Sequence, residues 1–169
     1  MGGWLNERSR NGGIDEVALP RGDGRLWLCG KHLVGPDVEA VLERTGASVV
    51  VCLTEGHELS SRYPDYLEWL VANRGGKAMF TPMPDLHATV DDIALIVDGI
   101  RTRVDAGDGV VLHCGAGIGR AGTIAAAVLV SMGVSLDDAL ATVLSSRPTA
   151  GPQSVEQEIA LSEYAERIT

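Results

Sequence analysis

Apolar positions along this chain come in two spacings. The continuous runs are short: Arg25-Leu26-Trp27-Leu28-Cys29, Ser48 to Leu53 (SVVVCL), Lys77 to Thr81, and Val110 to Cys114. Each has the length of a strand, and an unbroken apolar run suits a strand covered on both faces. Pro82 and Pro84 stop the third run, because proline cannot donate to a ladder. The second spacing is helical. Val38, Val41 and Leu42 follow Gly35-Pro36-Asp37, where Pro36 suits a helix start. Tyr66, Leu67, Leu70 and Val71 repeat with the same period, as do Val90, Ile93, Ala94, Val97, Ile100 and Val104. Ala121 to Met132 is apolar almost all round, which predicts a buried helix.

Polar punctuation agrees. Thr89 with Asp92, Ser135 with Asp138 and Ser154 with Gln157 each have the spacing of a capping box at a helix start. Strands alternating with helices predict an α/β fold, a central mostly parallel sheet flanked by helices. Residues 1–18, rich in Gly, Arg and Asn, read as an irregular N-terminal arm, and residues 19–169 as a single domain.

Charged residues at 22% and hydrophobic ones at 45% are ordinary for a globular protein. The net charge of −9 argues against general affinity for nucleic acid or an anionic membrane. An anionic substrate would then need local attraction. The longest apolar run, Ile124 to Val130, is too short to span a membrane. The N-terminus lacks a secretory core, and Asn6 spoils a myristoylation pattern, so a cytoplasmic protein is expected. The three cysteines have no metal spacing, and no metal or other cofactor is expected. Cys29 and Cys52 read as core residues. Oligomeric state is not written in the sequence.

The chemistry gathers at VVLHCGAGIGRAGT, Val110 to Thr123. Cys114 ends a strand, Gly115, Gly117 and Gly119 follow, and a helix begins. Glycines let backbone N–H groups converge on one point and form an anion nest. The helix N-terminus adds partial positive charge, and Arg120 offers a fork for two phosphate oxygens. The same field favours the thiolate, which is the nucleophilic form. These elements suit a tetrahedral dianion held against Cys114.

HCGAGIGRAG resembles the phosphate-binding loop of the cysteine-dependent protein tyrosine and dual-specificity phosphatases, His-Cys-x-x-Gly-x-x-Arg-(Ser/Thr)-Gly. LWLCG, VVVCLTEGHEL, MPD and a late RP…EQE fall in the order seen in small dual-specificity enzymes. GHEL and PMPDLHAT are most similar to the group related to cyclin-dependent kinase inhibitor 3. The resemblance implies the protein tyrosine phosphatase-like (phosphotyrosine phosphatase II) fold and a phosphocysteine intermediate. It implies Cys114 as nucleophile, with Arg120 and the backbone of Gly115, Ala116, Gly117, Ile118 and Gly119 as phosphate binders. His113 would orient the loop. Asp85, in Met83-Pro84-Asp85, matches the family's general acid, with Met83 in place of Trp; Asp92, Asp65 and Glu55 lack a motif match. Gln157 corresponds to a water-orienting glutamine of some relatives or, equally, to a capping residue.

One departure stands out. The family carries Ser or Thr after the loop arginine, and its hydroxyl stabilises the departing thiolate; here the residue is Ala121. Thr123 lies about 200° further round a helix and does not simply replace it. A competent first step and a slowed second step are expected on a phosphorylated protein. A non-catalytic phosphate-binding module, a phosphatase of non-protein phosphoesters, and other thiol chemistry on a similar loop remain as alternatives. A Cys52–Cys114 disulfide is a further expectation, from neighbouring strands. Arg62, Arg74 and His87 could contribute near a cleft.

Overall fold

A computed structural model describes residues 7–169; the start of the expected arm, residues 1–6, lies outside the described residues. Five strands form one sheet: β1 (Ile14–Val17), β2 (Arg25–Gly30), β3 (Val49–Cys52), β4 (Ala78–Phe80) and β5 (Gly109–Cys114). Their order is β1-β2-β5-β3-β4. All neighbours are parallel except β1, which runs antiparallel to β2. The expected sheet is therefore present, with one extra edge strand. That strand falls inside the arm that the sequence reads as irregular. Residues 8–17 are instead a helical turn, α1 (Arg8–Asn11), followed by β1.

The helices continue as α2 (Lys31–Val34), α3 (Val38–Thr45), α4 (Gly56–Leu59), α5 (Pro64–Ala72), α6 (Val90–Asp105), α7 (Gly119–Ser131), α8 (Leu136–Ser146) and α9 (Val155–Ile168). Thr89, Ser135 and Ser154 each cap a helix, accepting from the backbone N–H three residues on. Among the described residues no helix is long and apolar enough to cross a membrane.

Strand alternation splits the core. Leu26, Leu28, Val49, Val51, Val110 and Leu112 face α6 to α9. Cys29, Val50, Cys52 and Val111 face the α2 to α5 side. Each fully buried Val, Leu or Ile contributes about 1.5–3 kcal/mol of transfer free energy, so both layers matter. The middle strand β5 ends at Cys114, which continues the α7 side, while His113 points the other way. In α7 every residue from Gly119 to Val130 is buried, as its unbroken apolarity predicts. Two glycines at its start cost helix propensity, about 1 kcal/mol each. Packing explains them: a Cβ on Gly122 would lie 2.3 Å from Gly151 N, and one on Gly119 2.8 Å from Gln153 Oε1.

Candidate active site

The carboxyl ends of parallel strands are where ligands bind in open α/β sheets. Here β5 delivers Cys114 into the turn leading to α7, at the floor of a cavity of about 660 Å³. Gly115, Ala116, Ile118, Gly119, Arg120 and Asp85 also line it. Cys114 is 3% exposed, and its Sγ accepts from Ala121 N at 3.5 Å. Among the described residues, none of the backbone N–H groups from Gly115 to Arg120 donates to a protein acceptor. They are unpaired, as an anion nest requires.

The loop is held from outside. Buried Arg147 donates from Nε to Gly117 O at 3.0 Å and from Nη2 to Ala116 O at 2.8 Å. Its Nη1 reaches back to Asp15 Oδ2 at 2.9 Å and Gly13 O at 3.2 Å, tying the loop to the N-terminal arm. Gly117 has φ of 74°, and a Cβ there would lie 2.4 Å from the Cys29 carbonyl. Both the backbone angle and the close approach require glycine.

Arg120 has five N–H donors, and their assignment is informative. Nη1 donates to Glu58 Oε2 at 2.8 Å and Met83 O at 2.9 Å, and Nη2 to Glu58 Oε1 at 2.8 Å. Nε is buried with no hydrogen-bond partner, 3.6 Å from Asp85 Oδ1. The Nε–H and the second Nη2–H therefore remain as one free, two-donor edge, the geometry that grips two phosphoryl oxygens. Burial alone would push the Glu58 carboxyl up; the Arg120 hydrogen bonds, the Glu55 N–H and nearby Lys31 outweigh it and hold it below the usual value. Glu58 is thus an anion that fixes the guanidinium. Sequence reasoning missed it, although the capping box of Glu55 and Glu58 was readable.

His113 is wholly buried. Its Nε2 lies 2.7 Å from Tyr66 Oη and its Nδ1 3.1 Å from Cys114 O. Burial drives its pKa down to about 4, aided by Arg120. A neutral ring then donates Nδ1–H to the Cys114 carbonyl and accepts the Tyr66 hydroxyl proton. His113 sits beneath the loop between the Cys114 carbonyl and Tyr66, which the sequence reads as a core residue only.

Asp85 sits opposite, 69% exposed, with Oδ1 accepting from Leu86 N at 3.0 Å. Leu86 has φ of 65°, strained for a residue with a branched side chain. The start of α9 holds that turn: Ser154 Oγ donates to Leu86 O at 2.6 Å, and Glu156 Oε2 lies 2.6 Å from His87 Nδ1. His87 is thus a latch residue on a different cavity. Gln157 does not line the Cys114 cavity; it is fully buried, with Oε1 accepting from Gln153 N at 2.7 Å. Gln153 lines the cavity in its place. Arg74 lies over Phe80, away from the site, whereas Arg62 stacks on Tyr63 beside it. Cys52 faces the α5 side and Cys114 the α7 side, so the expected disulfide has no geometry to form. Burial pushes the Cys52 thiol up to about 11 and Cys29 to about 12, as core thiols require.

Cys114 beneath a glycine-rich turn, Arg120 with a free two-donor edge and Asp85 facing them make a site suited to a phosphoryl group, the kind of site a phosphatase carries. The chain belongs to the family described as a polymorphic toxin system DSP-PTPase phosphatase, whose sequence model matches residues 32–134. The crystal structure of Tk-PTP in its active form is 31% identical, covers 91% of this chain and 98% of its own, with a TM-score of 0.71. Two others share the fold. Kinase associated phosphatase with its catalytic-site cysteine changed to serine is 20% identical, with coverages of 92% and 94% and a TM-score of 0.73. Human DUSP28 is 21% identical, with coverages of 90% and 94% and a TM-score of 0.68. No curated protein matches the sequence.

Proposed function

We propose that the chain hydrolyses phosphomonoesters on proteins, phosphotyrosine first and phosphoserine or phosphothreonine where the cleft admits them, through a phosphocysteine. The observation that carries this is the free Nε–Nη2 edge of Arg120, held by Glu58 between Cys114 and Asp85. Cys114 Sγ attacks phosphorus, the P–O bond to the substrate breaks, and the leaving oxygen takes a proton from Asp85. Arg120 and the nest N–H groups hold the three peripheral oxygens as charge develops. Water then attacks phosphorus, gives its proton to Asp85, and the P–S bond breaks to release phosphate. No metal takes part in these steps, and the setting is the cytoplasm.

The second step lacks a hydroxyl donor to the departing thiolate. Ala121 has no hydroxyl, and Thr123 Oγ1 is turned to Gly119 O at 2.7 Å. Among the described residues no side-chain hydroxyl reaches Cys114 Sγ, whose hydrogen bond comes from Ala121 N. Phosphoenzyme hydrolysis is therefore the slow step. Rapid mixing with p-nitrophenyl phosphate tests the reading: a burst of p-nitrophenol followed by slower turnover supports it. Absence of release above Cys114→Ser would transfer support to a phosphate-binding module, the reading that Ala121 favours.

A further inference from the structure

The cavity over Cys114 is far larger than a phosphoryl group, and its far wall is unlike the rest of the protein. Five Lys or Arg side chains line it against two carboxylates, Glu58 and Asp85, in a chain of net charge −9. The pairing is incomplete. Glu58 is consumed by Arg120. Asp15 alone serves two guanidiniums, those of Arg147 and Arg8. Among the described residues Arg10 is salt-bridged only to Glu7, at 3.2 Å on the surface, a pairing worth little in water. Lys31 forms no salt bridge among the described residues; its Nζ donates to the Glu58 carbonyl at 3.2 Å and its charge acts on the Glu58 carboxylate only from nearby. Positive charge is thus in surplus next to the phosphate loop and on the side formed by the arm.

That wall is a built feature. Arg147 binds the loop carbonyls of Ala116 and Gly117 with one edge and Gly13 and Asp15 with the other. The same guanidinium that shapes the phosphate nest therefore fixes where α1 sits. Arg10 also lines the adjoining cavity that carries Arg62 on Tyr63, so the positive surface extends away from Cys114.

We propose that Arg10 and Lys31 form a second anion subsite, so that preferred substrates are phosphopeptides with an acidic side chain or second phosphate beside the phosphorylated residue. This rests on the phosphatase reading above and adds a specificity element to it. Lowered screening in a partly walled cavity favours the pairing, and salt weakens it.

The test is a ratio. The values of kcat/KM are measured at low ionic strength for two phosphotyrosine peptides differing only in Glu or Gln neighbours. A third peptide carries a neighbouring phosphothreonine, which separates phosphate from carboxylate as the source of the second charge. The ratio cancels any general effect of a substitution. Two exposed ion pairs give the wild type a preference of about tenfold. Arg10→Gln and Lys31→Gln should each reduce it, the double variant should bring it near one, and salt should do the same to the wild type. A wild-type ratio near one, or a preference that survives in the double variant, overturns the subsite while leaving the phosphatase intact. If the wild type turns over none of the peptides, the phosphatase reading falls. Fluorescence anisotropy with the same peptides then decides the subsite: equal Kd values for the Glu and Gln peptides refute it, and a preference abolished in the double variant supports it.

Discussion

Lowering the pH from 7 to 5 should destabilise this fold through one side chain, His113. Burial, with Arg120 nearby, brings its pKa down to about 4, and the neutral ring is locked between Tyr66 Oη and the Cys114 carbonyl. In the unfolded chain a histidine titrates near 6.5. Between these values the unfolded chain binds a proton that the folded chain refuses. Stability is therefore full above about pH 6.5 and is lost as pH falls towards 4. The whole difference is about 3 kcal/mol, of which about 2 kcal/mol is lost by pH 5. For a chain of this size that is about 4–8 °C in Tm. Urea unfolding at pH 7, 6 and 5 on the wild type and His113→Asn measures it. The variant should lose much less stability over this range, and the comparison cancels His32, whose pKa is lowered by shallow burial first. Glu58 is held below the usual carboxylate value, because its Arg120 and Glu55 hydrogen bonds and the nearby charges outweigh burial. Should His113→Asn not fold, the ring proton resonances of the wild type serve, with no titration of His113 above pH 5. Equal pH dependence in the two proteins, or a His113 titration near 6.5, would refute the buried neutral ring.

Three further outcomes are expected. Ala121→Ser should restore a donor to Cys114 and raise steady-state turnover by about tenfold or more, shrinking the burst, as general stabilisation of a leaving group does; unchanged turnover means another group already does this. Ser154→Ala and Glu156→Gln should loosen the strained turn at Leu86 and so misplace Asp85, steepening the dependence of kcat/KM on leaving-group pKa; a parallel drop for all leaving groups would make their role merely structural. Gly122→Ala should cost about 1–3 kcal/mol of stability, because the added Cβ meets the Gly151 backbone, and unchanged urea denaturation would contradict that packing.

Most of this fold was legible where the signal is local. Four strands and the six longer helices follow from apolar runs, helical spacing and the Thr89, Ser135 and Ser154 caps. The N-terminal elements α1 and β1 were not, because what holds them is distant in sequence. β1 pairs with β2, and the turn before it is fixed by Arg147 through Gly13 and Asp15. Cys114, Arg120 and Asp85 were visible as a motif, since the chemistry proposed for them restricts residue types there. Glu58 and Tyr66 were hidden, one inside a capping box and the other inside a helical apolar stripe, because an Arg–Glu or His–Tyr partnership across the fold leaves no periodic trace. For Gln157 the sequence left a water-orienting role and a capping role equally open: its N–H caps onto Ser154 Oγ, its side chain turns to the Gln153 backbone, and Gln153 lines the cavity wall.

The most direct test of the account is the amplitude of the p-nitrophenol burst when the protein meets saturating p-nitrophenyl phosphate in a stopped-flow instrument, chelator present. A burst close to one equivalent per protein, absent in Cys114→Ser and followed by slow linear release, is the predicted result. It would mean a loaded Cys114 waiting for a hydrolysis step in which no hydroxyl at position 121 stabilises the departing thiolate. No release above the Cys114→Ser background would contradict catalysis itself, and fast linear release without a burst would contradict the assigned slow step.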